Sequence, residues 1–118
     1  MIGFDLRRGD VGRIELYDDR VYLMISKYLK PIAEVDAARE DHLTFLAEIE
    51  AKGLAVTAGR QDPPVGGIVV LDVDSADEAH QVMAGDPYVA RGLAAYTATG
   101  WVPTRGLLAG YERVRRTV

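Results

Sequence analysis

The run Ile68-Val69-Val70-Leu71 is apolar at every position, the signature of a strand covered on both of its faces. A half-buried strand alternates and needs one cover; this one needs two, so it belongs inside a sheet. The 118-residue chain contains no cysteine, so packing, rather than a disulfide or thiolate zinc site, must hold the fold together. That length suits one core, because two would leave each half too small to bury enough apolar surface. With 48% hydrophobic and 27% charged residues, the composition is that of a folded domain rather than a disordered or fibrous chain.

Around this run the hydrophobic period changes repeatedly. Val21-Tyr22-Leu23-Met24-Ile25-Ser26-Lys27-Tyr28 is rich in β-branched and aromatic residues and stops at Lys30-Pro31, which reads as the first core strand. From Val35 the apolar positions Val35, Ala38, His42, Phe45 and Ile49 recur at steps of three and four, predicting one long helix to about Lys52. Gly53 is its expected C-terminal cap. Leu54 to Ala58 reads as a short strand, and the turn-rich stretch from Gly59 to Gly67 joins it in a hairpin to the apolar run. Ser75-Ala76-Asp77-Glu78 has the spacing of a capping box and predicts a second helix ending at Gly85. Asp86-Pro87 opens a short helical turn through about Gly92, and Leu93 to Val102 supplies the last strand, with Thr97, Thr99 and Trp101 on one face.

The order is βαββαβ. Two right-handed crossovers then give an α+β, ferredoxin-like sandwich: a four-stranded antiparallel sheet with both helices on one face. Because the first and third strands are apolar on both sides, two subunits are expected to pack sheet against sheet as a homodimer, a dimeric α/β barrel. The expected organisation is one domain over residues 1–118, with a core at about 21–103, an N-terminal extension over 1–20 and a tail over 104–118. Ile14 to Tyr17 suggests an extra strand. Leu107, Leu108, Tyr111 and Val114 share a helical face opposite Arg113, Arg115 and Arg116, so the tail reads either as a docking helix or as a frayed end.

A formal net charge of −4 lacks the basic footprint of a phosphate-backbone binder, so no nucleic-acid partner is expected. No apolar run approaches a membrane span, and Met1-Ile2-Gly3-Phe4-Asp5 lacks the layout of a secretory signal, so no membrane association and a cytoplasmic location are expected.

Three segments, in this order and at this spacing, resemble the YciI-like family (YCII-related domain): Arg39-Glu40-Asp41-His42-Leu43, Gly53-Leu54-Ala55-Val56-Thr57-Ala58-Gly59 and Gly85-Asp86-Pro87-Tyr88-Val89-Ala90-Arg91-Gly92-Leu93. With Gly66-Gly67 before the apolar strand, the resemblance covers about Val21 to Pro103. It implies a dimeric ferredoxin-like fold and an active site using a histidine from the first helix and the aspartate of the aspartate-proline motif, which map to His42 and Asp86. Dehydrochlorination of a chlorinated hydroxyquinol is an activity associated with such proteins. The family pattern often has proline after the glycine of the second segment; Arg60 stands there in this chain, a departure that bears on the next loop and on ligand preference.

Read from the residues themselves, His42 sits on an apolar helical stripe, where an unsatisfied ring nitrogen costs roughly 1–3 kcal/mol. It is either a core histidine bonded to a backbone carbonyl or a working group. Asp86 is equally an N-cap. The roles are compatible, because a capping carboxylate retains an oxygen that can orient an imidazole as general base or acid. Arg39, one turn before His42, could hold an anionic or phenolate substrate or pair with a nearby acid. Ser26, Tyr28 and Tyr88 could orient a substrate hydroxyl, although packing explains the tyrosines equally.

His80 reads as a surface residue. No metal-ligand spacing is present, Ser26 and Ser75 lack a nucleophile elbow, and Gly66-Gly67 precedes a strand rather than a phosphate-binding helix. The expectation is a small-molecule enzyme without cofactor or metal, using a His–Asp dyad for proton transfer in elimination, isomerisation or hydrolysis of a hydroxylated aromatic or other acidic metabolite. The alternatives are a non-catalytic ligand-binding or accessory dimer, and a structural partner of a larger complex contacting it through Thr104 to Val118.

Overall fold

The computed structural model describes residues 19–112. The chain divides into two units, Val21–Gly100 and, separately, the first twenty residues with Trp101–Val118. The sheet, its helices and the site belong to the first. The elements are β1 (Val21–Tyr28), α1 (Ile32–Ala37), α2 (Arg39–Ala51), β2 (Ala55–Arg60), β3 (Gly67–Leu71), α3 (Ala76–Met83), α4 (Pro87–Ala90) and β4 (Ala94–Trp101). They build a four-stranded antiparallel sheet of order β2-β3-β1-β4 with the helices on one face, the ferredoxin-like arrangement.

β3 is interior, as its uninterrupted apolar run requires. It pairs antiparallel with β1 in the register Tyr22↔Leu71 and Met24↔Val69. These four residues join Ile49 of α2 and Ala79 and Met83 of α3 in the main core. Val70, pointing to the opposite face, is also buried. A smaller cluster of Val35, Ala38, Tyr88, Leu93 and Ala94 lies beside α4.

The expected long helix differs in two respects. It starts earlier, because the extended Pro31 (φ −55°, ψ 148°) both stops β1 and presents its carbonyl to the amides of Glu34 and Val35. It is also interrupted at Ala38 (φ −103°, ψ 6°). There the Ala38 amide closes a tight bond to the Val35 carbonyl at 3.0 Å, while the His42 amide still reaches the Ala38 carbonyl at 3.1 Å. Such a one-residue tightening bends the axis without losing the buried face, so Val35, Ala38 and Ile49 all remain buried.

Helix ends are set by local chemistry. α2 finishes in a Schellman motif: Gly53, at φ 77°, gives its amide to Glu50, and Leu54 gives its amide to Ile49. α4 ends the same way, with the Gly92 amide on Val89 and the Leu93 amide on Tyr88. In α3 the Ser75 hydroxyl accepts from the Glu78 amide at 3.0 Å, whereas the Glu78 carboxylate takes the amide of Asp74 at 2.8 Å, one residue upstream of the usual capping-box partner. The hairpin strands run further than expected: β2 extends to Arg60 with a bulge between Ala55 and Thr57, so the connecting loop is only 61–66.

Of the two readings of the tail, the docking helix is not formed up to residue 112. Residues 105–110 make bends and turns, because Gly106 (φ 88°) and Gly110 (φ 73°) adopt the left-handed conformation that interrupts a helix. The rest of that segment, and the strand expected at Ile14 to Tyr17, lie outside the described residues.

Candidate functional site

Six elements converge on a cavity of about 190 Å³, with β3 contributing Gly67 and Val69. The inward face of β1 brings Ser26 and Tyr28, α2 brings Arg39 and His42, and β2 brings Arg60. α4 brings Tyr88, and β4 brings Tyr96. The Asp86-Pro87 step explains how α4 contributes: Pro87 occupies the first helical position, where no amide is needed, and Asp86 caps the turn by accepting the Tyr88 amide at 2.9 Å.

Asp86 is fully buried and accepts from two further groups. His42 Nδ1 lies 2.9 Å from Oδ1, and the Tyr96 hydroxyl donates to Oδ2 at 2.9 Å. An ionised carboxylate only accepts, so the Nδ1 position carries the proton and Nε2 keeps a lone pair. The imidazole also stacks on the Tyr88 ring, with centroids 3.9 Å apart and planes 5° from parallel. Ring stacking and the Asp86 bond together fix both the plane and the tautomer of His42. A carboxylate held in this way can stabilise an imidazolium formed by proton uptake at Nε2.

Tyr96 emerged only with the structure. Burial, then the adjacent Asp86 charge and hydrogen bond, push its phenol well above the ordinary tyrosine range, so it remains a neutral donor. A pKa raised in the folded state stabilises the fold below the unfolded value of about 10, and that contribution is lost as pH rises towards the folded value. Tyr96→Phe should therefore be less stable than the parent at pH 7, and the difference should shrink above about pH 10. Urea unfolding at pH 7 and above pH 10 measures both stabilities; a gap that does not narrow contradicts the linkage.

Arg60, where the family pattern often has proline, also lines the cavity. Its Nε donates to the Tyr28 hydroxyl at 3.0 Å, its guanidinium lies 5.5 Å from the Tyr28 ring centroid, and it pairs with Asp36. The Asp36 bond, followed by the Tyr28 bond, raises its pKa further above its already high value.

The other predicted residues are distributed as follows. Ser26 lines the cavity, but its oxygen accepts the Gly67 amide at 2.7 Å, tying β1 to the start of β3. Tyr28 meets Tyr88 edge-on, with centroids 6.0 Å apart. Arg39 lines the cavity without a hydrogen-bond or ion-pair partner among the described residues; of the two acids in the first turn, Asp41 pairs instead with Arg91 at 2.7 Å. Tyr88 is 2% exposed, and its hydroxyl has no hydrogen-bond partner among the described residues. His80 is exposed on α3. Among the described residues no three His, Cys, Asp or Glu side chains gather to hold a metal ion, and no helix is long and apolar enough to cross a membrane.

The model of the YCII-related domain matches residues 21–102. Among solved structures, the chain is similar to 5-chloro-2-hydroxyhydroquinone dehydrochlorinase from Burkholderia phenoliruptrix in complex with 2,5-dihydroxybenzoquinone. That likeness has a TM-score of 0.58 and 22% identity, covering 69% of this chain and 92% of the other. At that identity it shows the fold. No curated protein matches the chain.

Proposed function

This chain belongs to the YCII-related domain family, and we propose that it is a small-molecule enzyme, working without a cofactor, in which His42 moves a proton under the orientation of Asp86. The observation that carries this reading is the 2.9 Å contact between His42 Nδ1 and the fully buried Asp86 carboxylate, at the wall of a cavity. It leaves Nε2 as the basic nitrogen. Arg39 and the hydroxyls of Tyr28 and Tyr88 serve as binding groups, with Ser26 shaping the cavity wall.

The substrate class is a hydroxylated single ring. A cavity of about 150 Å³ holds benzene, so about 190 Å³ suits one ring with small substituents. The similar solved structure is of a dehydrochlorinase of such a ring, which favours elimination. In that step the ring reacts as its keto tautomer, with chlorine on a saturated carbon: His42 takes the proton of a conjugated ring hydroxyl, the freed electron pair forms the quinone carbonyl and shifts the double bond to break C–Cl, chloride leaves, and the imidazolium later releases its proton to solvent.

A homodimer is part of the proposal. On the sheet face opposite the helices, β1 and β3 place the half-buried Leu23, Ile25 and Ile68 around the buried Val70, an apolar strip suited to a second sheet. A cytoplasmic location is consistent with a cysteine-free chain acting on a metabolite.

Chloride release from 5-chloro-2-hydroxyhydroquinone, followed with sedimentation of the same sample, tests these points. The expected result is turnover by a dimer. Binding of the ring without turnover of it or of related ring tautomers would favour the ligand-binding alternative.

A further inference from the structure

Two cationic side chains line the cavity, and they are not equivalent. Arg60 is held from three sides: by Asp36, by the Tyr28 hydroxyl and by the face of the Tyr28 ring. Its charge is already neutralised within the chain. Arg39, half-buried on α2, has no acid and no hydrogen-bond acceptor among the described residues. It is the one cation of the described cavity wall free to meet a ligand.

Tyr88 supplies a second, independent observation. Its side chain is 2% exposed, lines the cavity, and leaves its hydroxyl without a partner among the described residues. A buried hydroxyl without a partner is costly, which points to a ligand oxygen as its acceptor. The Tyr88 phenol lies within electrostatic reach of Arg39 and Arg60, although burial dominates and raises its pKa. The Tyr28 hydroxyl accepts from Arg60, and its own proton has no acceptor among the described residues.

We propose that the cavity is a receptor for a ring compound carrying a single negative charge. Arg39 and the Tyr88 hydroxyl bind its one acidic group, and Asp36, by holding Arg60, denies the cavity a second cationic anchor. This rests on the reading of the cavity as a small-molecule site. The charge balance supports it: Asp86 already places one negative charge against the cavity wall, and Arg39 offsets one. A monoanionic ligand leaves a single excess charge to be held by hydrogen bonds, whereas a dianion leaves two in partly buried surroundings, where unpaired charge is costly.

Calorimetry with three rings of nearly equal shape tests the proposal: 4-nitrobenzoate with one charge, 4-nitrobenzamide with none and terephthalate with two. The full chain should bind 4-nitrobenzoate at least about tenfold more tightly than either of the others, the scale of a charge-assisted hydrogen bond. Arg39→Gln should reduce 4-nitrobenzoate to the level of the amide, and Tyr88→Phe should weaken it about fivefold while keeping the ring stack. Asp36→Asn should narrow the gap between terephthalate and 4-nitrobenzoate about tenfold, and adding Arg60→Gln should restore the gap. Equal affinity for 4-nitrobenzoate and its amide overturns the proposal, as does tightest binding of terephthalate, an unchanged gap in Asp36→Asn, or failure of all three rings to bind. The charge preference should persist in His42→Gln. Turnover surviving that substitution, with the preference intact, would remove the catalytic reading alone.

Discussion

His42→Gln is expected to lower turnover of a ring substrate by about 10²–10⁴, the contribution of a positioned general base, with substrate binding changed far less. The argument rests on what glutamine keeps and loses. It retains a polar group of similar reach that can still donate to Asp86, so the buried carboxylate is not stranded, and the cavity keeps its shape. It cannot accept a proton near neutral pH. Asp86→Asn should give a smaller loss, because an amide can still orient the imidazole through its oxygen and can donate to the Tyr96 oxygen, but no longer balances the charge of an imidazolium. Steady-state kinetics with thermal melts of each variant separate chemistry from folding. A fully active His42→Gln enzyme would remove the proton-transfer reading, and a fully active Asp86→Asn would remove the aspartate's part in it.

The second large effect is structural and falls where the β2–β3 loop meets β1, next to the cavity residues Ser26 and Gly67. A Cβ added at Gly66 would sit 1.9 Å from the Ser26 carbonyl oxygen and 2.7 Å from its carbon. Both are backbone atoms of β1, so no side-chain rotation relieves the clash. Nor can the loop withdraw freely, because the Tyr28 amide bonds to the Val65 carbonyl at 2.9 Å and the Gly67 amide bonds to Ser26 Oγ at 2.7 Å. Gly66→Ala should therefore cost about 4 kcal/mol or more, the range reserved for buried clashes and broken networks. Gly59→Ala is the control: nothing lies within 4 Å of its added Cβ, and a change within about 0.5 kcal/mol is expected. Urea unfolding of both variants measures the difference. Equal stabilities would show that β1 and the loop can separate at low cost.

The fold was legible wherever a local rule and a periodic pattern agreed. Residues 21–28 form β1 because the run is β-branched and aromatic and a proline follows. Asp86-Pro87 and Gly92-Leu93 bracket α4, since one pair supplies the cap and first position and the other a left-handed residue with an apolar successor. Legibility failed where a local choice had no separate signature. Alanine is the best helix former, yet Ala38 is the residue at which the first helix bends, with Val35 of α1 packed in the smaller cluster beside Tyr88 and Ile49 of α2 packed in the main core. The tail stayed open for a different reason: its apolar spacing allowed a helix or a frayed end, and up to residue 112 Gly106 and Gly110 form turns instead.

The sequence by itself determined the element order, the interior position of β3, the inward face of each helix and strand, and the residue types available for chemistry. Only the tertiary structure decided the contacts that make a site. His42 meets Asp86 across 44 positions, Arg60 meets Tyr28 across 32 and Asp36 across 24. The physical reason is that periodicity encodes which way a side chain faces relative to its own element. Distances between elements depend on crossing angles, strand register and the bend at Ala38, which arise from packing the whole core. Whether Arg39 or Arg60 stays free for a ligand is a decision of that kind: both are arginines near the motif residues, and the fold brings an acid to only one of them.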